Sequence, residues 1–165
     1  MKKIVFIRHG RAEDPSPEIT DFERSLTIKG KAISKMMANR FLEKESDPGL
    51  IITSPAFRAL ETAMIFASAF NIKHEKMRID SDLYYKTNLN TLIGILNSVS
   101  DETNIITMLG HNPAFTEMPD RLCMEGCEFL TKTSIACISF HTNKWSEIKP
   151  DSGKMEYFLK PEKNT

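Results

Sequence analysis

A short apolar run near the start of the chain ends abruptly in two basic side chains and a glycine: Ile4-Val5-Phe6-Ile7-Arg8-His9-Gly10. An unbroken β-branched and aromatic run is typical of a strand buried on both faces, as in a parallel sheet. In open α/β sheets, ligands bind just beyond the carboxyl ends of the strands. Arg8 and His9 therefore stand where a ligand would be met, unless they are simply two solvated side chains at a strand end.

A second junction of this kind follows the apolar run Leu50-Ile51-Ile52-Thr53. Ser54 is a good N-cap residue and Pro55 suits the first helical position, so we expect a helix to begin there. Arg58 and Thr62 lie four residues apart and would share one face of this helix. Arg58 is therefore expected near the strand end, where Thr62 either supports the pocket with its hydroxyl or bonds within its own helix.

The third junction leads from Ile105-Ile106-Thr107-Met108-Leu109 into Gly110-His111-Asn112-Pro113, where Asn112 can cap and Pro113 can open a further helix. If the three strands are parallel neighbours, their carboxyl ends bring together four side chains: Arg8, His9, Arg58 and His111. Two helix N-termini would point free N–H groups at the same edge of the sheet, which favours a bound anion.

Two arginines and two histidines at one sheet edge suit the chemistry of a phosphoryl group. Arginine binds phosphate oxygens through paired hydrogen bonds and keeps its charge at any working pH. A neutral imidazole nitrogen can attack phosphorus, and nearby cations disfavour its protonation, which predicts His9 as a nucleophile. Arg8, Arg58 and a protonated His111 would stabilise the charge that spreads over the phosphoryl oxygens. This scheme needs no metal and no cofactor.

An ordered series of motifs resembles the histidine phosphatase superfamily, also called the phosphoglycerate mutase-like fold. The matching segments are Arg8-His9-Gly10, Leu26-Thr27-Ile28-Lys29-Gly30, Ser54-Pro55-Ala56-Phe57-Arg58-Ala59-Leu60-Glu61-Thr62-Ala63 and Gly110-His111-Asn112-Pro113. Thr133-Ser134-Ile135-Ala136 and Tyr157-Phe158-Leu159-Lys160-Pro161 resemble the small bacterial branch of SixA-type phosphohistidine phosphatases. The resemblance covers nearly the whole chain, and the ordered set is far more specific than Arg-His-Gly alone.

The resemblance implies a fold, an activity and a set of site residues. The implied fold is an α/β three-layer sandwich with a mainly parallel central sheet flanked by helices, formed by residues 1–165 as a single domain. His9 would be the nucleophile that becomes phosphorylated, Arg8 and Arg58 would hold the phosphoryl oxygens, and His111 would complete the pocket.

The implied reaction transfers a phosphoryl group to His9 and then to water, with protein phosphohistidine as the expected substrate. The alternative is a small-molecule phosphomonoesterase of the same superfamily. A phosphate-binding module without catalysis is disfavoured, because binding alone does not require a nucleophilic imidazole.

The chain departs from many members of the superfamily at the position of the general acid. Those members carry Glu or Asp two residues after a leucine that follows the third strand, whereas Asp82-Leu83-Tyr84-Tyr85 places Tyr85 there. The SixA-type branch also lacks this acid, which favours a labile phosphoryl bond over an alkyl ester. Four carboxylates near the motifs stay open as alternative proton donors: Glu13, Asp14, Asp82 and Glu117.

Composition limits the partners. The 22 Lys and Arg residues balance the 22 Asp and Glu residues, which argues against nucleic acid or an anionic membrane as the main partner. A chain of 165 residues leaves little room for a cap over the site, so a phosphohistidine-bearing protein could reach it, as could a small phosphorylated substrate.

We predict that the protein is a monomer. With no apolar run of ~20 residues, no signal peptide and three cysteines expected as reduced thiols, we predict a cytoplasmic protein.

The remaining pattern predicts further elements. Residues 10–26 form a long polar connection, which in a compact domain usually means a functional loop. Thr27 can cap a helix that runs to about Glu45, with its apolar stripe at Ile28, Ala32, Ile33, Met36, Met37 and Phe41. The apolar spacing of Leu89, Leu92, Ile93 and Leu96 predicts another helix.

Towards the end of the chain the pattern predicts strands. Residues 135–140 form an apolar strand, and Trp145 to Ile148 are expected to pair with it through a turn at residues 142–144. After Pro150 we expect extended structure docked on the domain.

Overall fold

The computed structural model describes residues 1–163, and its centre is one six-stranded sheet. The strands are Lys2–Arg8 (β1), Leu50–Thr53 (β2), Arg78–Ile79 (β3), Ile105–Gly110 (β4), Ile135–Phe140 (β5) and Gly153–Leu159 (β6). They lie in the order β3-β2-β4-β1-β5-β6. Strands β3, β2, β4 and β1 run parallel to one another. Strand β5 runs antiparallel to β1, and β6 runs antiparallel to β5. The prediction of a mainly parallel sheet is confirmed.

In the described part of the chain, five α-helices flank this sheet: Ile28–Lys44 (α1), Phe57–Ala69 (α2), Asp82–Tyr85 (α3), Leu89–Asn97 (α4) and Ala114–Leu122 (α5). The same part has three short 3₁₀ turns at Asp21–Glu23, His74–Lys76 and Trp145–Glu147. Because successive side chains of a strand point to opposite faces, β1 serves both layers. Val5 and Ile7 pack with α1 and α2, whereas Ile4 and Phe6 pack with α4 and α5. The predicted three-layer α/β architecture is confirmed.

Helix α1 begins where the sequence predicts, but its buried face is rotated from the predicted stripe. The Thr27 hydroxyl accepts a hydrogen bond from the Gly30 amide at 2.9 Å and caps the helix. Ile28 is 90% exposed and Ala32 is also exposed, so their inclusion in the apolar stripe was wrong. Met37 and Phe41 of the predicted stripe are buried, together with Gly30, Ser34 and Ala38. Ile33 and Met36 are partly buried against the same core. Small residues near the helix start let it approach the loop that follows His9.

Helix α2 starts later than predicted, because the strand before it continues to pair. The Ser54 amide donates to the Leu109 carbonyl at 3.0 Å, which extends the pairing of β2 with β4 beyond Thr53. Ala56, not Ser54, is the N-cap residue, and no side chain caps this helix. Ser54 is thereby held at the edge of the sheet, where its hydroxyl is available to the site.

Helix α5 also differs from its predicted start. Pro113 is the N-cap residue rather than the first helical residue, and no side chain caps the helix. The Asn112 side chain instead donates to the Leu130 carbonyl at 2.9 Å and accepts from the Thr116 hydroxyl at 3.0 Å. Asn112 therefore connects the start of α5 to the segment before β5.

The predicted strand at Trp145 to Ile148 was wrong. Trp145 begins a 3₁₀ turn, and its indole is fully buried, with Nε1 donating to the Thr103 carbonyl at 3.0 Å. This large ring packs into the core instead of continuing along β5 as a strand. The partner of β5 is β6, so the segment after Pro150 is extended as expected and forms the edge of the sheet. Within residues 1–163, no helix is long and apolar enough to cross a membrane.

We expect Gly30→Ala to lower the free energy of unfolding by about 1–3 kcal/mol, as overpacking typically does. A Cβ at position 30 would lie 2.2 Å from the Arg11 carbonyl oxygen, so α1 or the loop after His9 would have to move. Urea unfolding measures the change. Gly94→Ala is the matched control: a Cβ there meets nothing within 4 Å, and we expect a gain of about 0.5–1 kcal/mol. Equal stability of Gly30→Ala and wild type would contradict this close approach.

Candidate active site

Three strands deliver the site residues to one edge of the sheet. β4 lies between β1 and β2 and runs parallel to both, so their carboxyl ends coincide. In the β1–β4 register Arg8 faces Gly110, and the His9 amide donates to the Gly110 carbonyl at 3.0 Å. Arg8, His9, Ser54 and His111 therefore stand in the last rung of pairing or directly after it.

His9 is held in one tautomer by its neighbour. Its Nδ1 lies 2.7 Å from the Gly10 carbonyl oxygen, which can only accept, so Nδ1 carries the proton. The proton-free nitrogen of the neutral ring is therefore Nε2. The residue is 8% exposed, and burial lowers its pKa to about 3 against the opposing effect of the Gly10 hydrogen bond. His111, Arg58 and Arg8 lower the pKa further, but burial is the largest cause.

His111 lies next to His9, with 5.0 Å between the ring centroids. Its Nε2 is 2.8 Å from the Ser54 hydroxyl, and its buried Nδ1 has no hydrogen-bond partner among the described residues. Burial and then Arg58 lower the pKa of His111 to about 4. The ring of His111 is therefore neutral at neutral pH in this structure. The protonated His111 expected beside a phosphoryl group stays a prediction.

Arg8 presents an unused donor at the same edge. Its Nη1 donates to the Leu130 carbonyl at 3.0 Å, and its guanidinium lies 5.8 Å from the Phe129 ring centroid. Its Nε is buried and has no hydrogen-bond partner among the described residues. Desolvation lowers the pKa of Arg8, as expected for a cation that lacks a carboxylate partner. A buried donor without an acceptor costs roughly 1–3 kcal/mol, which a bound anion would recover.

Arg58 lies in the first turn of α2 and is buried against the long loop that follows β1. Its Nη1 donates to the Asp21 carbonyl at 2.7 Å, and its Nη2 donates to the Asp21 carboxylate at 3.0 Å. Tyr84 donates to the same carboxylate at 2.8 Å, and its ring centroid lies 5.5 Å from that of His111. The site therefore holds a carboxylate that the sequence analysis did not identify.

Partial burial would raise the pKa of Asp21, but hydrogen bonds from Tyr84, Arg24 and Arg58 lower it to about 2. The carboxylate is therefore ionised at neutral pH. The sequence signal for Asp21 was the unusual length of the loop at residues 10–26, and nothing in the local pattern separated it from the other acids of that loop.

Thr62 joins the two halves of the site. Its hydroxyl accepts from the Gly10 amide at 3.0 Å and donates to the Arg58 carbonyl at 2.6 Å. The two alternatives for Thr62, support of the pocket and bonding within its own helix, are therefore both realised.

Among the described residues, the hydrogen bonds of His9 and His111 go to Gly10 and Ser54 and not to the carboxylates proposed as proton donors. Glu13 accepts from the Ser25 amide, and Asp14 and Glu117 are exposed. Asp82 lies in the first turn of α3. At the family's acid position Tyr85 is 69% exposed, and the preceding tyrosine turns into the site instead. Within residues 1–163, no group of three or more His, Cys, Asp or Glu side chains could hold a metal ion.

This edge of the sheet suits an oxyanion, because it holds two arginines, two neutral imidazoles and the starts of α2 and α5. His9 Nε2 offers a nucleophile there.

Comparison with known families agrees with this chemistry. Residues 4–83 match the model of the histidine phosphatase superfamily (branch 1). An uncharacterised protein of Picosynechococcus sp. is 39% identical over 67 residues, which span 41% of this chain and 41% of that relative.

Solved structures share the fold at low sequence identity. The protein histidine phosphatase SixA complexed with tungstate has a TM-score of 0.78 at 20% identity, covering 95% of this chain and 96% of that one. A protein of Agrobacterium tumefaciens named as the phosphohistidine phosphatase SixA has a TM-score of 0.77 at 19% identity, covering 97% and 98%. The mycobacterial glucosyl-3-phosphoglycerate phosphatase has a TM-score of 0.68 at 13% identity, covering 95% and 98%. These likenesses show the fold, and the superfamily model matches residues 4–83, slightly less than half of the chain.

We expect both site histidines to be neutral in the free protein at pH 5.5, because their pKa values lie near 3 and 4. Imidazole ¹⁵N NMR shifts, assigned with single histidine variants, measure this. In the unfolded chain a histidine titrates near pH 6.5, so the unfolded state binds more protons between about pH 4 and 6.5. The stability that depends on neutral rings is therefore complete above pH 6.5 and falls as the pH is lowered. Titration of either ring between pH 6 and 7 would contradict this.

We expect Asp21→Asn to tighten the binding of tungstate by roughly fivefold, because a carboxylate–guanidinium pair whose carboxylate is exposed contributes up to about 1 kcal/mol. Without the charge of Asp21, the Arg58 guanidinium is free to pair with the bound anion. Calorimetric titration of the free protein measures the dissociation constant. Glu18→Gln, an exposed acid of the same loop, is the matched control and should bind tungstate like wild type. Weaker binding by Asp21→Asn would mean that Asp21 mainly orients Arg58.

Proposed function

We propose, on the premise that the chain is a member of the histidine phosphatase superfamily, that it removes phosphoryl groups from histidine side chains of another protein. His9 Nε2 attacks phosphorus, the P–N bond to the substrate histidine breaks, and a phosphoryl–His9 intermediate forms. Water then attacks this intermediate, which releases inorganic phosphate and restores the neutral ring of His9.

The state of His9 is the observation that carries this proposal. A nucleophilic imidazole must be neutral and must offer a lone pair towards the substrate. Burial keeps the pKa of His9 near 3, and the hydrogen bond to the Gly10 carbonyl keeps the proton on Nδ1. The ring is therefore prepared to attack at neutral pH without a base to remove a proton.

The cations beside His9 supply charge stabilisation in this proposal. Arg8 offers its unpartnered Nε, and Arg58 offers the guanidinium that Asp21 now neutralises. His111 is neutral before binding, but a phosphoryl dianion beside it would raise its pKa, since an opposite charge favours the imidazolium. Its Nδ1 would then donate to a phosphoryl oxygen. Fixed donors of this kind act most strongly on charge that develops in the transition state.

The lack of a protonated carboxyl group among the described site residues supports phosphohistidine over a simple ester as substrate. An alkyl ester must expel an alkoxide, which requires a proton at the leaving oxygen. Asp21 is ionised, and a carboxylate cannot supply that proton. The pKa of Tyr84 is raised by burial and by Asp21, so its hydroxyl is a poor acid. A histidine leaving group carries a proton on the nitrogen remote from phosphorus and departs as a neutral ring.

This mechanism uses no metal and no cofactor. Three free thiols, Cys123, Cys127 and Cys137, suit a reducing compartment, so we propose that the protein works in the cytoplasm. Its partner would be a phosphohistidine-bearing protein.

We expect kcat/KM for a phosphohistidyl peptide to exceed that for an alkyl phosphate by on the order of 100-fold or more, the usual contribution of a general acid that this site lacks. Across a series of phosphate esters, the rate should fall steeply as the pKa of the leaving group rises. Steady-state kinetics with ³²P-labelled substrates measure both trends, and rapid quench should trap an acid-labile phosphoryl group on His9.

His9→Ala should abolish the trapped group, whereas His141→Ala, which alters an exposed histidine outside the site, should leave it unchanged. A chelator should not change the rate. Efficient hydrolysis of a sugar phosphate with a flat dependence on the leaving group would give first place to the small-molecule phosphomonoesterase. That alternative draws support from the likeness in fold to the glucosyl-3-phosphoglycerate phosphatase.

A further inference from the structure

A cavity beside the candidate active site is strongly basic. Its volume is about 410 Å³, within the range of ligand-binding clefts. The polar residues that line it are Arg8, Arg11, Lys29, Thr131, Lys132 and Thr133. Four cations in one cavity are notable in a chain whose net charge is +0, because they concentrate positive potential at one place.

The cations of this basic cavity lack carboxylate partners. Among the described residues, no salt bridge uses Arg11, Lys29 or Lys132. Partial burial, Arg8 and Arg11 lower the pKa of Lys132, while Asp14 opposes them. Lys29 stands in the first turn of α1, where the helix dipole disfavours a cation. A bound anion would offset the desolvation of Lys132, the repulsion among these cations and the unfavourable helix dipole at Lys29.

The basic cavity is connected directly to the candidate active site. Arg8 lines the cavity and immediately precedes His9, and its buried Nε has no acceptor. The Thr133 amide donates to the carbonyls of Arg8 and His9, at 3.0 and 3.3 Å. The wall of the cavity is therefore bonded to the backbone of the residue that we assign as nucleophile. A ligand group in the cavity would belong to a substrate that also reaches His9.

We infer that this basic cavity binds acidic side chains that flank the phosphohistidine in the partner protein, an inference that rests on the proposed function. Lysine carries its charge as a compact ammonium on a flexible stem, whereas arginine has the rigid fork that suits a fixed phosphate. Two of the four cations are lysines, Lys29 and Lys132, on separate segments of the chain. They can follow carboxylates whose positions vary, as in an acidic peptide segment.

The test compares two phosphohistidyl peptides that differ only in flanking glutamates or flanking glutamines. For wild type, we expect KM to be roughly fivefold lower for the glutamate peptide, since two partly exposed ion pairs contribute about this much together. The kcat values should match. In the double variant Lys29→Gln, Lys132→Gln the preference should disappear, and it should survive in Lys35→Gln. Lys35 is an exposed lysine of α1 that lies outside the cavity. Added salt should raise KM for the glutamate peptide more than for the glutamine peptide.

A binding measurement separates this inference from the proposed function. The unphosphorylated glutamate peptide, titrated into ¹⁵N-labelled protein, should shift the amides of Arg11, Lys29 and Lys132 in wild type, whereas the glutamine peptide should not. If these shifts appear but neither phosphohistidyl peptide is hydrolysed, the proposed function is wrong and the inference about the cavity is supported. If both peptides are hydrolysed with equal KM and no shifts appear, the inference about the cavity is wrong and the proposed function is supported. A preference that persists in the double variant would also overturn the inference.

Discussion

The pairing of β4 with β1 on one side and β2 on the other is the interaction on which the rest of the site depends. Parallel pairing brings three strand ends level, and the ladder continues past the strands through amides of His9 and Ser54. Asp21 comes to the site from the loop at residues 10–26. A strand slipped by one residue would turn every following side chain to the opposite face, since the side-chain period of a strand is two. The centre of the sheet therefore sets the relative positions of His9 and the cations.

Burial and charge act in the same direction on the two histidines, which explains how a cationic site keeps an imidazole ready to react. Desolvation disfavours the charged form of both rings, and the neighbouring arginines disfavour it further. The same burial leaves Arg8 Nε and His111 Nδ1 without partners. In the proposed mechanism, a bound anion would accept hydrogen bonds from these groups and raise the pKa of His111. Leaving buried polar groups unpaired costs free energy, so this arrangement suits a ligand better than it suits stability.

The sequence predicted the parts of the molecule that local pattern controls. Uninterrupted apolar runs identified β1, β2, β4 and β5, because strands buried on both faces cannot alternate with polar residues. Contacts between distant segments decided the rest. Ser54 was assigned to a helix cap because its residue type favours that role, but its amide completes the ladder to Leu109. The prediction of a strand at Trp145 fails because its ring is buried and donates to the Thr103 carbonyl, which is distant in the sequence. Asp21 could not be singled out, because its importance lies in Arg58 and Tyr84, which are distant in the sequence.

The loop at residues 10–26 gives the site a second level of control. One end follows His9, the Gly10 amide donates to the Thr62 hydroxyl, and the 3₁₀ turn at Asp21–Glu23 brings a carboxylate to Arg58. This carboxylate offsets the charge of the arginine, but Asp21 is too strong an acid to donate a proton at neutral pH. Its charge therefore opposes anion binding and supplies no acid chemistry. Under the proposed function, a substrate would have to compete with Asp21 for Arg58, which would disfavour weakly held monoanions. A phosphoryl dianion with further contacts outside the pocket would be the ligand best able to displace this carboxylate.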